Sequence, residues 1–450
     1  MAHRALLLPA LGILSTLAAS GSCREAQRHN VILISIDTLR ADHLGCYGYQ
    51  RNTTPRIDAF RRAATLFEQA FAQAPSTLPS HASIFTSLLP SHHGASVANS
   101  SGVDPGAVTL AEILKREGYE TASFNGGIQL DPLYGLARGF DTYVSARPSV
   151  ASADLLVDPV DRFDHAVTEG MEWMRDRKAK PLFIFLHTYE THHPYTPDPG
   201  LLALMDPDYG GSLPDDIGVD LLKRINDGEM EIDDADLDHV IAAYDAELRS
   251  VDVAFGKLVD FLQQEGLYDD AVILVTSDHG EEFGEHGFVG WHSHSLYDEL
   301  LRVPLLVKLP GSRGGERSVA AQVRGIDLAP TILDELGLTI PESFEGTSLL
   351  PAIVGSSDVP EYAVSQKDVP IPDEEASIRT LAWKWSRGRL FHLPSDPLET
   401  TDVSQANLDT AQGLSGALDG LLKARPQPPR YHVEPDEELL KKLRSLGYIK

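Results

Sequence analysis

Four apolar, β-branched runs constrain this chain more than any other feature: VILISI at 31–36, PLFIFL at 181–186, AVILV at 271–275 and VPLLVK at 303–308. Runs without polar alternation have no wet face. They read as strands buried on both sides, the pattern of a parallel sheet covered by helices. Between them, Ile241, Tyr244, Leu248, Val251, Phe255, Leu258 and Leu262 recur at helical spacing, and Gly266 follows as a stop. Strands alternating with helices predict an α/β fold with a mainly parallel central sheet flanked by helices. At 450 residues the chain can hold a large domain, expected over 30–340, and a smaller one. After 340 the pattern changes to short strands at 377–385 and 389–393, a PSDP turn, a helix at 408–422, proline-rich PQPPR and a charged helix at 435–446. This predicts a small C-terminal α+β subdomain over 341–450. Residues 206–238 are acidic, with Asp pairs at 215–216 and 233–234. They read as a solvated insertion or lid-like loop and lack the spacing of a calcium loop.

Open α/β sheets bind ligands beyond the carboxyl ends of their strands. Asp37 follows the first run, His187 the second, and Asp278-His279 the third. Hard metal ions take carboxylate oxygens, and a strand end fixes such ligands rigidly. In PSTLPSHASIFTSLLP, Pro79 suits the first turn of a helix, and Ala82, Ile84, Phe85, Leu88 and Leu89 supply an apolar face. Thr77 therefore precedes a helix N-terminus, where free N–H groups and the dipole favour an anion. A metal-held hydroxyl there can be deprotonated and attack phosphorus or sulfur. The alternative is that Thr77 and Ser80 merely cap the helix. Eight of the 17 histidines (81, 187, 192, 193, 279, 286, 292 and 294) fall in the segments bearing these sites, a concentration that favours metal binding, anion binding or proton transfer.

With these residues in view, the chain resembles the sulfatase family of the alkaline phosphatase superfamily. The resemblance runs from about residue 29 to the end, through NVILISIDTLRADHLGCYGY, TTPRIDAF, TLPSHASIFTSLLPSHHG, GFDTY, LHTYETHHPY, ILVTSDHGEEFGEHG, HSLYDELLRVPLLV, IDLAPTIL, LFHLPSDPLE and LRSLGYI. The resemblance implies one or two divalent metal ions (Ca, Mg, Mn or Zn). Its first set of ligands is Asp37, Thr77, Asp278 and His279, and a second set would use Glu190, His192 and His292, with His294 or His193 nearby. Alternatively, His192 and His292 contact the anion and protonate the leaving oxygen. Ser80, His81 and His294 are the expected substrate contacts. Three positions depart from the family pattern. Thr77 stands where the family has a Cys or Ser oxidised to formylglycine, and His81 where it has arginine. Asp37-Thr38 replaces an Asp pair, so one ligand is missing or supplied elsewhere. The lysine expected before Tyr297 is absent, and His292 and His294 flank Ser293. Threonine does not give the formylglycine aldehyde, so that cofactor is not expected. Threonine is the nucleophile in superfamily relatives that cleave phosphodiesters.

These features predict a hydrolase using Thr77 on phosphate, phosphonate or sulfate esters, with phosphoesters preferred. The substrate would be a sulfated or phosphorylated small molecule, glycan or lipid headgroup, chosen by residues 144–175 and 200–240. The alternatives are a sulfatase working without formylglycine, or a non-catalytic envelope protein that binds an anion or glycan. The formal net charge of −28 argues against nucleic acid as partner. His3 and Arg4, the apolar stretch 5–20 and small residues at 21–22 form a secretory signal pattern over 1–22, with a tether at 23–29. SGSC resembles a lipoprotein cleavage site, although Ser20 is a poor match, so anchoring through a lipid on Cys23 and simple export to the periplasm or cell envelope both stand. Cys46 is the only other cysteine.

Overall fold

The computed structural model describes residues 28–145, 162–177, 179–356, 359–367 and 376–445. The signal segment, Cys23 and the end of LRSLGYI lie outside the described residues. Nine strands form the main sheet: β1 (Val31–Ile36), β2 (Thr65–Phe71), β3 (Glu120–Asn125), β4 (Thr142–Ser145), β5 (Leu182–Thr188), β6 (Val272–Thr276), β7 (Arg302–Val303), β8 (Leu305–Lys308) and β9 (Ser318–Arg324). Their order is β7-β2-β8-β6-β1-β5-β3-β4, with β9 also paired to β2. The core from β6 through β4 is parallel throughout.

The lack of polar alternation in β1 is explained by its neighbours. Successive side chains point to opposite faces, and both faces are covered. Val31 and Leu33 enter one apolar core with Phe183, Phe185 and Leu274. Ile32, Ile34 and Ile36 enter another with Ile184, Leu186, Ile273 and Val275. The second core is roofed by the long helix Asp234–Gln264, whose Ala243, Val251, Phe255 and Leu258 are buried there.

Three expectations are corrected. The fourth apolar run is not a parallel strand: β8 lies antiparallel to both β6 and β2. Pro304, which has no N–H, separates it from the two-residue β7. Buried Lys308 closes its end by donating to the carbonyls of Tyr268, Asp269 and Ala271 at 2.6, 3.0 and 3.0 Å. The 206–238 segment is not simply a solvated loop. It contains the helix Val219–Asn226 and buries Leu213, Ile217 and Leu222. Asp233 caps the long helix by accepting from the N–H groups of Ala235 and Asp236, so part of this acidity serves a helix start. The expected strand at 377–385 is two strands, Ala376–Arg379 and Trp383–Ser386, because Thr380 Oγ1 accepts from the N–H groups of Ala382 and Trp383 and turns the chain.

These two strands, with Ala363–Gln366 and Arg389–His392, form a separate antiparallel sheet packed under the helix Leu408–Lys423. It docks beside the main sheet through Gln366 N–H to Gln73 O at 2.8 Å and Ser365 Oγ to Ala72 O at 2.6 Å. No helix among the described residues is long and apolar enough to cross a membrane.

Candidate active site

The carboxyl ends of β1, β5 and β6 lie side by side, which brings together residues far apart in the chain. Asp37, Asp278 and His279 are fully buried, and one donor atom from each lies within 4.8 Å of the others. Asp37 Oδ1, Asp278 Oδ2 and His279 Nε2 have no hydrogen-bond partner. Buried polar atoms are normally satisfied. Three orphaned donor atoms converging on one point fit a divalent cation, and two carboxylates, an imidazole and a hydroxyl form a set that Mg²⁺, Mn²⁺ or Zn²⁺ accepts. Thr77 completes the group: its Oγ1 donates to Asp37 Oδ2 at 3.1 Å.

The electrostatics point the same way. Burial, then the adjacent charge of Asp278, hold the Asp37 carboxyl well above the usual range. Burial also opposes ionisation of Asp278, but His279 and the neighbouring imidazoles hold it low, and the His279 N–H donates to its Oδ1 at 2.9 Å.

Thr77 is the first residue of the helix Thr77–Thr86. Neither it nor Ser80 acts as a helix cap. The Ser80 hydroxyl donates to Asp278 O at 2.6 Å, and the helix ends at Ser87, so Leu88 and Leu89 lie beyond it. Ser80 and His81, the expected substrate contacts, are both buried and hydrogen-bonded within the fold. His81 is buried behind the site, its ring nitrogens 2.9 Å from Thr77 O and 2.9 Å from Ser35 Oγ. Both residues tie the start of this helix to the strand ends, Ser80 through Asp278 O and His81 through Thr77 O and Ser35 Oγ. Thr38 is not a substitute ligand, because its hydroxyl donates to Thr191 O at 2.8 Å. Its φ of 53° is unusual for a β-branched residue.

His192 and His292 meet with ring centroids 4.7 Å apart, and His292 lies 4.6 Å from His279. Glu190 does not join them. Its Oε2 accepts from the N–H of Phe163 at 2.8 Å, at the start of the helix Phe163–Arg175. The third member is His193, with one ring nitrogen from each of the three histidines within 4.8 Å of the others. His294 also turns away: its Nε2 lies 2.7 Å from Glu282 Oε2, in a separate cluster with His286 and Glu299.

Glu281 was not anticipated. It is buried, with Oε1 at 2.9 Å from His292 Nδ1 and Oε2 accepting from Tyr195 OH at 3.2 Å. This fixes the His292 proton on Nδ1 and turns Nε2 away from the carboxylate. Burial pushes His292 down to about 4 despite Glu281, and burial and the neighbouring imidazoles push His192 well below its ordinary value. Within the sequence, Glu281 is one acidic letter among several in GEEFGEHG, and only its position relative to His292 distinguishes it.

Comparison with known proteins agrees with this architecture. The family described as Sulfatase matches residues 29–338. Arylsulfatase K of Gallus gallus is 25% identical, covering 89% of this chain and 84% of its own length. The phosphonate monoester hydrolase of Agrobacterium radiobacter superimposes with a TM-score of 0.69 at 23% identity, covering 88% of this chain and 96% of its own. BT4656, solved in complex with its substrate D-glucosamine-2-N,6-O-disulfate, gives a TM-score of 0.72 at 20% identity, covering 89% and 99%. A strand-end carboxylate site on a parallel sheet, reached by a helix-borne threonine and matched over more than half the chain, thus places this protein in the sulfatase family of ester hydrolases.

Proposed function

We propose that the enzyme hydrolyses anionic tetrahedral esters by displacement at Thr77, with phosphate and phosphonate esters preferred over sulfate esters. The observation that carries this reading is the contact between Thr77 Oγ1 and Asp37 Oδ2, at the edge of the orphaned Asp37, Asp278 and His279 atoms. A divalent ion held by Asp37, Asp278, His279 and Thr77 would supply Lewis-acid charge that lowers the hydroxyl pKa and offsets charge developing on the ester oxygens.

The residues divide the remaining work. The Thr77 proton passes to Asp37 Oδ2 as Oγ1 attacks in line and the bond to the leaving oxygen breaks. His292, oriented by Glu281, is placed to protonate that oxygen, and His192 beside it is the second candidate. The approaching anion raises the pKa of the imidazole it meets. In the second half, the same histidine takes a proton from water, which attacks the Thr77 ester; the bond to Oγ1 breaks, Asp37 returns its proton to Oγ1, and the inorganic anion leaves. A formylglycine hydrate can expel its bound ester by elimination, whereas a threonine ester requires attack by water. This favours phosphorus over sulfur. The relatives support both chemistries by name, one a phosphonate monoester hydrolase and another bound to a sulfated glucosamine. Sulfated or phosphorylated glycans are therefore the first substrates to test. Export directed by residues 1–22, with or without a lipid on Cys23, belongs to the same proposal, and the mass of the mature N-terminus checks it.

The test is hydrolysis of matched aryl sulfate, phosphate monoester, phosphate diester and phosphonate substrates by wild type and Thr77→Ala, with metal content measured on both. Expected are phosphoester turnover, loss of about 10⁴-fold or more in Thr77→Ala and an unmodified Thr77 by mass spectrometry. Preferential sulfate turnover lost in Thr77→Ala overturns the phosphoester preference. No turnover by the metal-loaded wild type overturns the catalytic reading and leaves an anion-binding protein.

A further inference from the structure

The start of the Thr77–Thr86 helix is poor in free donors. Pro79 has no N–H, and the Ser80 N–H is already bonded to Ser76 O at 3.2 Å. The backbone donors nearest the nucleophile are therefore those of Thr77 and Leu78. The Leu78 N–H is also taken: it donates to Gln129 Oε1 at 3.0 Å. The helix-terminal anion site suggested by sequence is thus partly capped by a side chain.

That same side chain carries a replacement donor. Gln129 is 1% exposed, and its Nε2 is buried with no hydrogen-bond partner. The amide orientation follows from the structure, because a backbone N–H requires an acceptor facing it. With Oε1 fixed on the Leu78 N–H, the amide sits at the helix end that begins with Thr77, one residue before Leu78. The backbone that delivers it is unusual. Gly127 and Ile128 adopt successive positive φ angles of 77° and 53°, and a β-branched residue rarely accepts that conformation. The Gly127 N–H is held by Asn125 Oδ1 at 3.0 Å. A strained turn that buries an unpaired amide donor next to a nucleophile is poorly explained by packing alone.

We propose that Gln129 is a substrate-binding residue whose Nε2 donates to a non-bridging oxygen of the tetrahedral anion attacked by Thr77. The amide relays the helix end: it accepts from the Leu78 N–H and presents its own N–H to the substrate. Being neutral, it recognises the oxygen by position rather than by charge. This inference rests on the hydrolase reading above.

Two variants separate this role from a structural one. Gln129→Glu keeps an acceptor for the Leu78 N–H but removes the donor and adds a charge. Gln129→Met removes both acceptor and donor and adds no charge. Binding of inorganic orthovanadate to the metal-loaded protein, turnover, metal content and thermal midpoint are measured for each. Substrate binding by Nε2 predicts that Gln129→Met weakens vanadate binding and kcat/KM by at least tenfold and Gln129→Glu by about 100-fold or more, both with wild-type metal content. A purely structural role predicts the opposite ranking, with Gln129→Glu close to wild type and Gln129→Met impaired, and that result overturns the proposal. Vanadate binding within threefold of wild type in Gln129→Met also overturns it, while the hydrolase reading survives if wild type still turns over ester. Failure of wild type to bind vanadate or cleave any ester overturns both.

Discussion

Two clusters of carboxylates, Asp298 with Glu399 and Asp37 with Asp278, flank His292 in sequence, and only the first is paired with a lysine and an arginine among the described residues. Next to the C-terminal sheet, Lys384 Nζ donates to Asp298 Oδ1 at 2.8 Å and lies 2.8 Å from Glu399 Oε1. Arg379 also binds Asp298 and stacks over the Phe71 ring. The Asp298 N–H donates to Glu399 Oε2 at 2.7 Å. Two carboxylates meet two cations, and the group joins the site loop to the small sheet. At the sheet end, Asp37 and Asp278 are buried more deeply than Asp298, and their neighbours His187 and His81 are imidazoles that burial pushes below their ordinary value. A low-dielectric interior disfavours unpaired charge. The first cluster is complete as folded, while the second leaves Asp37 Oδ1, Asp278 Oδ2 and His279 Nε2 unsatisfied, as a group that could hold a cation would.

This contrast yields ordered predictions. The largest effect is expected for Asp278→Asn, which should lose bound metal and reduce kcat/KM by on the order of 10⁴-fold; full activity with metal bound would erase the distinction between the clusters. Next is Lys384→Met, which leaves Asp298 and Glu399 without their shared cation. It should destabilise the fold by about 3 kcal/mol, the lower end for a broken buried pair because Asp298 is partly exposed, while metal content in the folded protein stays unchanged. Denaturant melts read this effect, and a parallel loss of metal would show that the two clusters are coupled.

The third prediction is a metal-dependent pH response. Asp37 is raised in the metal-free fold. Its contribution to stability is therefore present below its unfolded pKa and lost as pH rises through the raised folded value. Asp278 has the opposite sign and loses its contribution only as pH falls. Bound metal replaces the Asp37 proton, so the stability gap between loaded and chelated protein should widen as pH rises. At 100 times the dissociation constant the metal should add about 2.7 kcal/mol, and Asp37→Asn should abolish that gain. Melts at acid and mildly alkaline pH, with metal or chelator, would show a constant gap if the prediction is wrong.

The smallest effect concerns a third site, where the carboxylate of Glu345 meets His92. Burial pulls His92 down, but Glu345 at 2.6 Å more than offsets this, and the imidazole is raised overall. The stabilisation is present below the unfolded histidine pKa and lost as pH rises through the folded value. Glu345→Gln should flatten this dependence and cost about 1–2 kcal/mol in mildly acid solution. An unchanged pH profile would remove His92 from the comparison.

Much of the scaffold was legible because local sequence carries it. An uninterrupted run such as VILISI can be satisfied only between two covered faces, and its last residue falls at a ligand-binding edge. The misread elements were those decided by distant partners. β8 reads as apolar as β6, and its antiparallel direction shows only in its pairing with β6 and β2 and in Lys308 reaching back to residues 268–271. Glu190 sits two residues before His192 in sequence, yet the turn after β5 sends it to a helix start instead.

The sequence by itself determined the α/β scaffold, the strand-end positions of Asp37, Asp278 and His279 and the unusual threonine at 77, because periodicity and residue type act over a few neighbouring residues. Only the tertiary structure decided which histidines gather beside His279, that Glu281 meets His292 and that Gln129 occupies the helix end. Those roles depend on distances between residues separated by tens to hundreds of positions, and such distances exist only once the sheet has aligned its strand ends.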